Sequence, residues 1–335
     1  MMKQLLKHIA TSAANQLGPH RMSLLTHDPQ LWVLMYHRIL PPEDIRYRLE
    51  EPGMIVTPDT FAMHLRELKR HFDLIDFSEW LRLRAAGEPL PRRACTITFD
   101  DGWHDNFEYA LPIIKATATP VTLFAVVEKI GTEFQFWPNI ISALLASKAL
   151  SAMRQQPLLA SALGSATSAT DIGNREFMAA TIKTLKQFSD AEVFAALEAM
   201  NWQQHLDFEL PRGLMRWDEL RTMNNSGLVT IGSHTCNHKR LNAQLSKDEI
   251  THEIVTSKTL LQKQMPAADI FCFPNGDYGS VALETVTQTY SAAVTTQRGI
   301  VNAVSTPVHQ LCRIGLHEHI SHTPRLLGAR LSGWI

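Results

Sequence analysis

The feature that most constrains the fold is a repeated alternation of short apolar runs, rich in β-branched residues, with segments of helical periodicity. The strand-like runs cover residues 32–36, 94–99, 120–126, 228–232, 270–273, 292–295 and 310–314. Between most of them, apolar residues recur every three or four positions, as on one face of a helix. This alternation predicts a parallel sheet with helices outside it, and its repetition favours an α/β barrel. In barrels, active sites lie at the carboxyl ends of the strands.

Residues 133–212 interrupt this pattern. They contain three helical segments and no strand-like run. We interpret them as a helical insertion within one catalytic domain of residues 31–335, since they carry no strand–helix alternation of their own. Residues 1–30 are expected to form an N-terminal helical extension, in which Leu5, Leu6, Ile9 and Ala13 share one helix face that packs on the domain.

Composition excludes several classes of partner. The formal net charge is −1 and no basic stripe is present, so a nucleic-acid partner is not expected. No apolar run reaches the length of about 18 residues that a transmembrane helix needs. The N-terminal apolar stretch is broken by Lys7 and His8 and makes a poor signal peptide. We therefore expect a cytoplasmic protein, in solution or at the membrane periphery; the sequence gives no indication of oligomeric state.

The four cysteines, Cys95, Cys236, Cys272 and Cys312, are dispersed along the chain. They form no C-x-x-C pair, and three of them stand in apolar, strand-like runs where small thiols are usually buried. A disulfide framework is not expected in a chain of this size with so few cysteines.

Two adjacent carboxylates follow the second strand-like run, in the sequence Asp100-Asp101-Gly102. Like charges this close disfavour joint ionisation, and a bound metal ion removes the conflict. The plain alternative is a polar turn, because Asp and Gly are common turn residues.

Two histidines follow a later strand-like run, in the sequence His234-Thr235-Cys236-Asn237-His238. Imidazoles four positions apart can converge on one metal ion, although the chain has 15 histidines and this pair could lie on the surface. Combined with a carboxylate from the Asp-Asp-Gly turn, they predict a site of two histidines and one carboxylate with open coordination positions.

These segments resemble the motifs of the NodB-type polysaccharide deacetylases, carbohydrate esterase family 4. Thr98–Gly102 matches the family's T-F-D-D-G, and His234–His238 matches H-[ST]-x-x-H. The segment Leu34-Met35-Tyr36-His37-Arg38 resembles the exopolysaccharide-locus branch of the family. The resemblance implies a distorted (β/α) barrel of about seven parallel strands. It also implies hydrolysis of N-acetyl groups from an amino-sugar polysaccharide or its precursor, with release of acetate.

The same resemblance implies one divalent metal ion held by Asp101, His234 and His238. Zinc is the first expectation, and nickel, cobalt and iron suit the same ligands. Such an ion polarises the acetamide carbonyl and activates water.

The resemblance also assigns the proton transfers. Asp100 is the expected general base, and the leaving amine takes its proton from His37 or His317. We favour His37, because its surroundings match the exopolysaccharide branch, whereas His317 matches the family's final L-x-L-H motif only loosely.

The chain departs from the family pattern at the third motif. Cys272 stands where the family has an Arg that orients the base, and Asn275 stands at the aromatic position. Arg313 is a candidate replacement, but we favour its interpretation as an ordinary strand-end cation. The expected partner is an N-acetylated glycan. Two other functions stay open: an amidohydrolase acting on a small cyclic amide, and a non-catalytic glycan-binding relative.

Overall fold

The computed structural model describes residues 2–18, 20–21, 28–164 and 175–334, with side chains from residue 8 onward. The chain divides into two compact units. The first comprises residues 1–39, 56–132 and 214–335, and the second comprises residues 40–55 and 133–213.

The first unit is built on a closed barrel of seven parallel strands, which confirms the predicted fold class. The strands of the chain are β1 Gln30–Tyr36, β2 Arg38–Ile39, β3 Ile55–Val56, β4 Asp73–Leu74, β5 Arg93–Phe99, β6 Val121–Ala125, β7 Val229–Ser233, β8 Ile270–Cys272, β9 Ala292–Arg298, β10 Val301–Asn302 and β11 Leu311–Gly315. The barrel runs in the order β1, β11, β9, β8, β7, β6 and β5, and β5 closes on β1. All seven strand-like runs of the sequence are strands of this barrel.

The strand register brings the carboxyl ends of neighbouring strands to one level. Tyr36, the last residue of β1, pairs with Phe99, the last residue of β5. Between β6 and β7, Ala125 pairs with Ser233 in the same way. Met35 pairs with Gly315 at the end of β11. Side chains that follow these strands therefore meet at one edge of the barrel.

The helices are α1 Met2–Leu17, α2 Ile45–Arg48, α3 Pro58–His71, α4 Phe77–Ala86, α5 Leu111–Thr117, α6 Trp137–Ala146, α7 Leu150–Met153, α8 Pro157–Leu163, α9 Arg175–Leu185, α10 Asp190–Ala199, α11 Trp217–Asn224, α12 Lys247–Thr251, α13 Ser257–Gln264, α14 Ser280–Thr289, α15 Glu318–Ser321 and α16 Pro324–Leu331. A π-helical turn, His252–Thr256, joins α12 to α13, and another, Asn106–Ala110, precedes α5. None of the described helices has both the length and the apolar character that a membrane crossing requires.

Helix α1 carries the predicted N-terminal helical segment. Thr11, Ala14 and Asn15 are buried, whereas Ile9 is more than half exposed and Ala13 is exposed. The predicted packing face is therefore wrong at Ile9 and Ala13. The predicted face residues Leu5 and Leu6 lie outside the part of the chain whose side chains are described.

The second unit has a hydrophobic core of its own, formed by helices α6 to α10. Its buried residues include Trp137, Ile141, Leu144 and Leu159, in agreement with the helical character expected for residues 133–212. Residues 40–55 belong to the same unit, which the sequence did not predict. Glu50 accepts a hydrogen bond of 2.8 Å from Nδ2 of Asn139 in α6.

Candidate active site and metal centre

The Asp-Asp-Gly segment makes a sharp turn directly after β5. The backbone N–H of Asp100 still bonds to the carbonyl of Tyr36 at 3.0 Å. Asp101 then adopts a φ of 76°, and Gly102 a φ of 85°. A Cβ on Gly102 would lie 2.9 Å from Cδ1 of Ile130, and the positive φ strains any other residue, so this position favours glycine. A non-glycine residue with positive φ costs about 1–3 kcal/mol, and such residues cluster at functional sites.

The second motif forms a tight loop after β7. Thr235 and His238 have φ values of 68° and 61°, and the N–H of His238 bonds to Oγ1 of Thr235 at 2.8 Å. Nδ1 of His234 lies 2.8 Å from the carbonyl oxygen of Cys272. Because a carbonyl can only accept, Nδ1 carries the hydrogen and Nε2 keeps its lone pair, which is the arrangement typical of metal-binding histidines.

The structure brings the three predicted metal ligands together. Oδ1 of Asp101 lies 3.4 Å from Nε2 of His234 and 3.4 Å from Nε2 of His238. This oxygen is buried and has no hydrogen-bond partner in the described part of the chain. Ligands that bind zinc tetrahedrally at about 2.0–2.1 Å lie roughly 3.3–3.4 Å apart. The donor set and its spacing therefore fit one divalent ion.

The other oxygen of Asp101 is held by Trp103, whose indole N–H donates to Oδ2 at 2.8 Å. The guanidinium of Arg38 lies over the Trp103 ring, 4.1 Å from its centroid. Nε of Arg38 in turn donates to Asp105 at 2.9 Å, and both side chains are buried. Trp103 thus orients the carboxylate so that Oδ1 faces the histidines, a supporting role that metal ligands commonly require.

Asp105 and Asn106 stand where residues that cap the following helix are expected. The structure shows no side-chain cap there. The Asp105 carboxylate accepts hydrogen bonds from Arg38 and from the backbone N–H of Ile39 instead. These partners lie more than 60 positions away in the chain. They satisfy the buried carboxylate, which therefore does not cap the adjacent helix.

Asp100 forms a bidentate ion pair with Arg313. Nη1 of Arg313 donates to Oδ1 and Nη2 donates to Oδ2, both at 2.7 Å. The guanidinium also donates to the carbonyl of Thr295 and to Oγ1 of Thr98. Burial alone raises the pKa of Asp100, but the adjacent guanidinium outweighs this effect and the pKa lies below its ordinary value. Asp100 is therefore a fixed, ionised carboxylate.

Our interpretation of Arg313 as an ordinary strand-end cation was wrong, because the residue is buried and bonded to Asp100. The sulfur of Cys272, at the family's Arg position, lies 3.2 Å from Nη2 of Arg313. A short side chain on β8 thus leaves room for a guanidinium that reaches the base from β11. The only sequence signal was a charged residue inside an otherwise apolar strand.

The two candidate acids, His37 and His317, differ in their surroundings. Nε2 of His37 lies 3.8 Å from Oδ2 of Asp100, and its side chain is one-fifth exposed. His317 follows β11 and directly precedes α15, and its Nδ1 is buried without a hydrogen-bond partner among the described residues. Burial, reinforced by His319 and Arg330, lowers the pKa of His317 to about 4. His317 is therefore uncharged at neutral pH.

Several solved protein structures have a fold similar to that of this chain. The deacetylase PplD of Streptococcus pyogenes, solved in complex with acetate, aligns with a TM-score of 0.58 at 20% identity, covering 90% of this chain and 97% of that one. IcaB from Ammonifex degensii aligns with a TM-score of 0.56 at 17% identity, covering 90% and 97%. The deacetylase domain of BpsB from Bordetella bronchiseptica aligns with a TM-score of 0.53 at 17% identity, covering 87% of this chain and 98% of that one. These similarities show a shared fold.

The sequence itself matches the family model of the polysaccharide deacetylases. The match covers residues 87–157 and 165–293, which is more than half of the chain, and includes both the Asp-Asp-Gly and the His234–His238 segments. A search of curated proteins found no match. With its barrel and both motifs at one edge, the chain belongs to the NodB-type polysaccharide deacetylase family, whose members are hydrolases of carbon–nitrogen bonds in acetylated polysaccharides.

Proposed function

We propose that this deacetylase depends on one divalent metal ion, with zinc as the first choice, held by Asp101, His234 and His238. The observation that carries the proposal is the buried Oδ1 of Asp101, which lies 3.4 Å from both imidazole Nε2 atoms. That spacing is long for a hydrogen bond and suits two ligands of one ion. When bound, the ion polarises the acetamide carbonyl of the substrate and lowers the pKa of water.

The remaining chemistry belongs to side chains of this chain. Asp100 takes the proton of the attacking water, because it is ionised and oriented by Arg313. His37 gives a proton to the leaving nitrogen as the carbon–nitrogen bond breaks, which yields acetate and a free amine. The proximity of His37 and Asp100 supports the assignment of Asp100 as the base and His37 as the acid. The bonding of Arg313 to Asp100 also argues against a non-catalytic relative, since an arginine is present beside the proposed base despite the missing motif arginine.

The proposed substrate is an N-acetylated amino-sugar polymer of the exopolysaccharide type, or its precursor. The support is the match of Leu34–Arg38 to that branch and the position of His37 beside Asp100. We further propose that residues 31–335 form one catalytic domain in which residues 133–212 are an insertion, and that the N-terminal helix is an extension of it. A cytoplasmic location remains part of this proposal.

The experiment that tests the metal site is acetate release from N-acetylglucosamine oligomers, with and without a chelator, together with metal analysis. His234→Ala is expected to abolish metal binding at this site, and with it acetate release, while the circular dichroism spectrum is preserved. The exposed His322, whose Nδ1 lies 2.9 Å from the carbonyl oxygen of Glu318 in its own helix turn, offers a matched control, and His322→Ala should keep both. A full metal load in the His234→Ala, His238→Ala double variant would exclude this site.

Replacing the two candidate acids should distinguish them. His37→Ala is expected to lower kcat by about 10²–10⁴-fold with unchanged metal content, the usual range for loss of a general acid. His317→Ala should have a milder effect, because the low pKa of His317 leaves it as a neutral imidazole, which is a poor proton donor, at neutral pH. Steady-state acetate release and metal analysis of both variants provide the measurement. The reverse ranking, with His317→Ala nearly inactive, would move the acid to His317.

A further inference from the structure

A second group of metal-binding side chains lies behind the His234–His238 loop and plays no part in the proposed mechanism. Its members are Glu128, Cys236 and His252. Glu128 follows β6, and His252 lies in the π-helical turn. The carboxylate oxygen, thiol sulfur and imidazole nitrogen all lie within 4.8 Å of one another. Thus three different ligand types converge from three separate segments of the first unit.

The spacing of the two outer donors fits a bound ion. Oε1 of Glu128 lies 3.3 Å from Nε2 of His252, which is the separation expected for two zinc ligands at about 2.0–2.1 Å. Both side chains reach solvent: His252 is 52% exposed and Glu128 is 34% exposed. Cys236 is buried behind them, so an ion that enters from solvent meets the carboxylate and imidazole first and the sulfur last.

Both outer donors are also oriented by further contacts. Nδ2 of Asn237 donates to Oε2 of Glu128 at 2.8 Å, which leaves Oε1 toward the imidazole. Oγ1 of Thr256 lies 3.3 Å from Nδ1 of His252, so Nε2 is the ring nitrogen that faces Glu128. Supporting partners of this kind are typical of metal-binding carboxylates and histidines. The thiol of Cys236 lies behind this pair and donates to the carbonyl oxygen of His252 at 3.7 Å. A plain surface ion pair would need neither of the two orienting contacts.

We propose that Glu128, Cys236 and His252 bind a second zinc ion, distinct from the one proposed at Asp101. Thiolate and imidazole together favour zinc over magnesium or calcium, and three protein ligands leave one position open to water. The site shares a loop with the proposed catalytic centre, since Cys236 stands between His234 and His238 in the chain. The N–H of Glu128 also bonds to the carbonyl of Cys236 at 3.0 Å. The proposal does not depend on deacetylase activity.

Cobalt(II) titration of the full chain, monitored by absorption, separates the two sites because only the second contains a thiolate ligand. One equivalent is expected to bind without a sulfur-to-cobalt charge-transfer band, and the other with it. Cys236→Ser and His252→Ala should each abolish the band and one of the two equivalents of zinc. Cys272→Ser is the matched control, since its thiol is also buried but lies beside Asp100 and Arg313.

Glu128→Gln provides a variant that removes a partly exposed charge and should fold normally. It is expected to weaken binding of the second zinc equivalent in a chelator competition, with the first equivalent unchanged. A wild-type protein that binds a single equivalent, or a charge-transfer band that survives Cys236→Ser, would overturn the proposal. His234→Ala tests the other site separately: loss of its equivalent with the band retained leaves the second site standing.

Discussion

Asp100→Asn is expected to lower kcat by about 10²–10⁴-fold while the metal content stays unchanged, since loss of a general base has effects of this size. Asp100 lies next to the proposed metal ligands, but its two oxygens are engaged by Arg313. Asparagine keeps the shape of the side chain and one acceptor oxygen, yet it cannot take a proton from water. Acetate release under saturating substrate, with metal analysis of the same preparation, is the measurement.

The variant must be shown to fold, because the substitution leaves the buried Arg313 charge without its carboxylate partner. A thermal unfolding curve in the presence of zinc serves as the control. Conversely, His322→Ala should retain the kcat of the unchanged protein in the same assay. A near-normal rate in Asp100→Asn, with the metal content of the unchanged protein, would remove Asp100 from the role of base.

Replacing Arg313 is expected to have the largest effect on stability. Arg313→Met should lower the free energy of unfolding by about 3–5 kcal/mol, because it leaves the buried Asp100 charge unpaired. The double variant Asp100→Asn, Arg313→Met should be more stable than Arg313→Met alone, since it removes both charges together. Chemical denaturation of the three variants measures this difference, and equal stability of Arg313→Met and the unchanged protein would contradict the pairing.

The ion pair also predicts the direction of a pH effect. Arg313 holds the pKa of Asp100 below its ordinary value, so the pair stabilises the folded protein at pH above the unfolded pKa of aspartate. That stabilisation is lost as the pH falls through the lower, folded pKa. Arg313→Lys keeps a positive charge but loses the two-pronged bond, and should move the acidic limb of the kcat/KM profile to higher pH. A residue with a purely structural role would leave this limb in place.

Local sequence patterns predicted much of the architecture. The apolar runs at 94–99 and 228–232 became β5 and β7, because a strand buried on both faces is apolar throughout. The two motifs directly follow these strands, so their meeting at one barrel edge followed from the parallel arrangement alone. A site of two histidines and one carboxylate was predicted on this basis, and the family resemblance assigned Asp101 as the carboxylate. The structure brings Asp101, His234 and His238 together.

Contacts between distant parts of the chain were not predictable in this way. Arg313 and Asp100 are 213 positions apart, and nothing near either residue indicates the other. The same holds for residues 40–55, whose Glu50 bonds to Asn139 in the helical unit. Cys272 indicated that the motif arginine was absent, but it could not indicate which strand would supply the replacement.

The sequence by itself determined the barrel, its strands and the chemical types of the site residues, because these depend on periodicity and on residues adjacent in the chain. Only the tertiary structure decided which buried charges are paired, as between Arg313 and Asp100 or Arg38 and Asp105. It also decided that Glu128 and His252 face Cys236 across the loop. The reason is that a buried charge is stable only beside a partner of opposite charge. Which residue lies beside it depends on strand order and register over the whole chain.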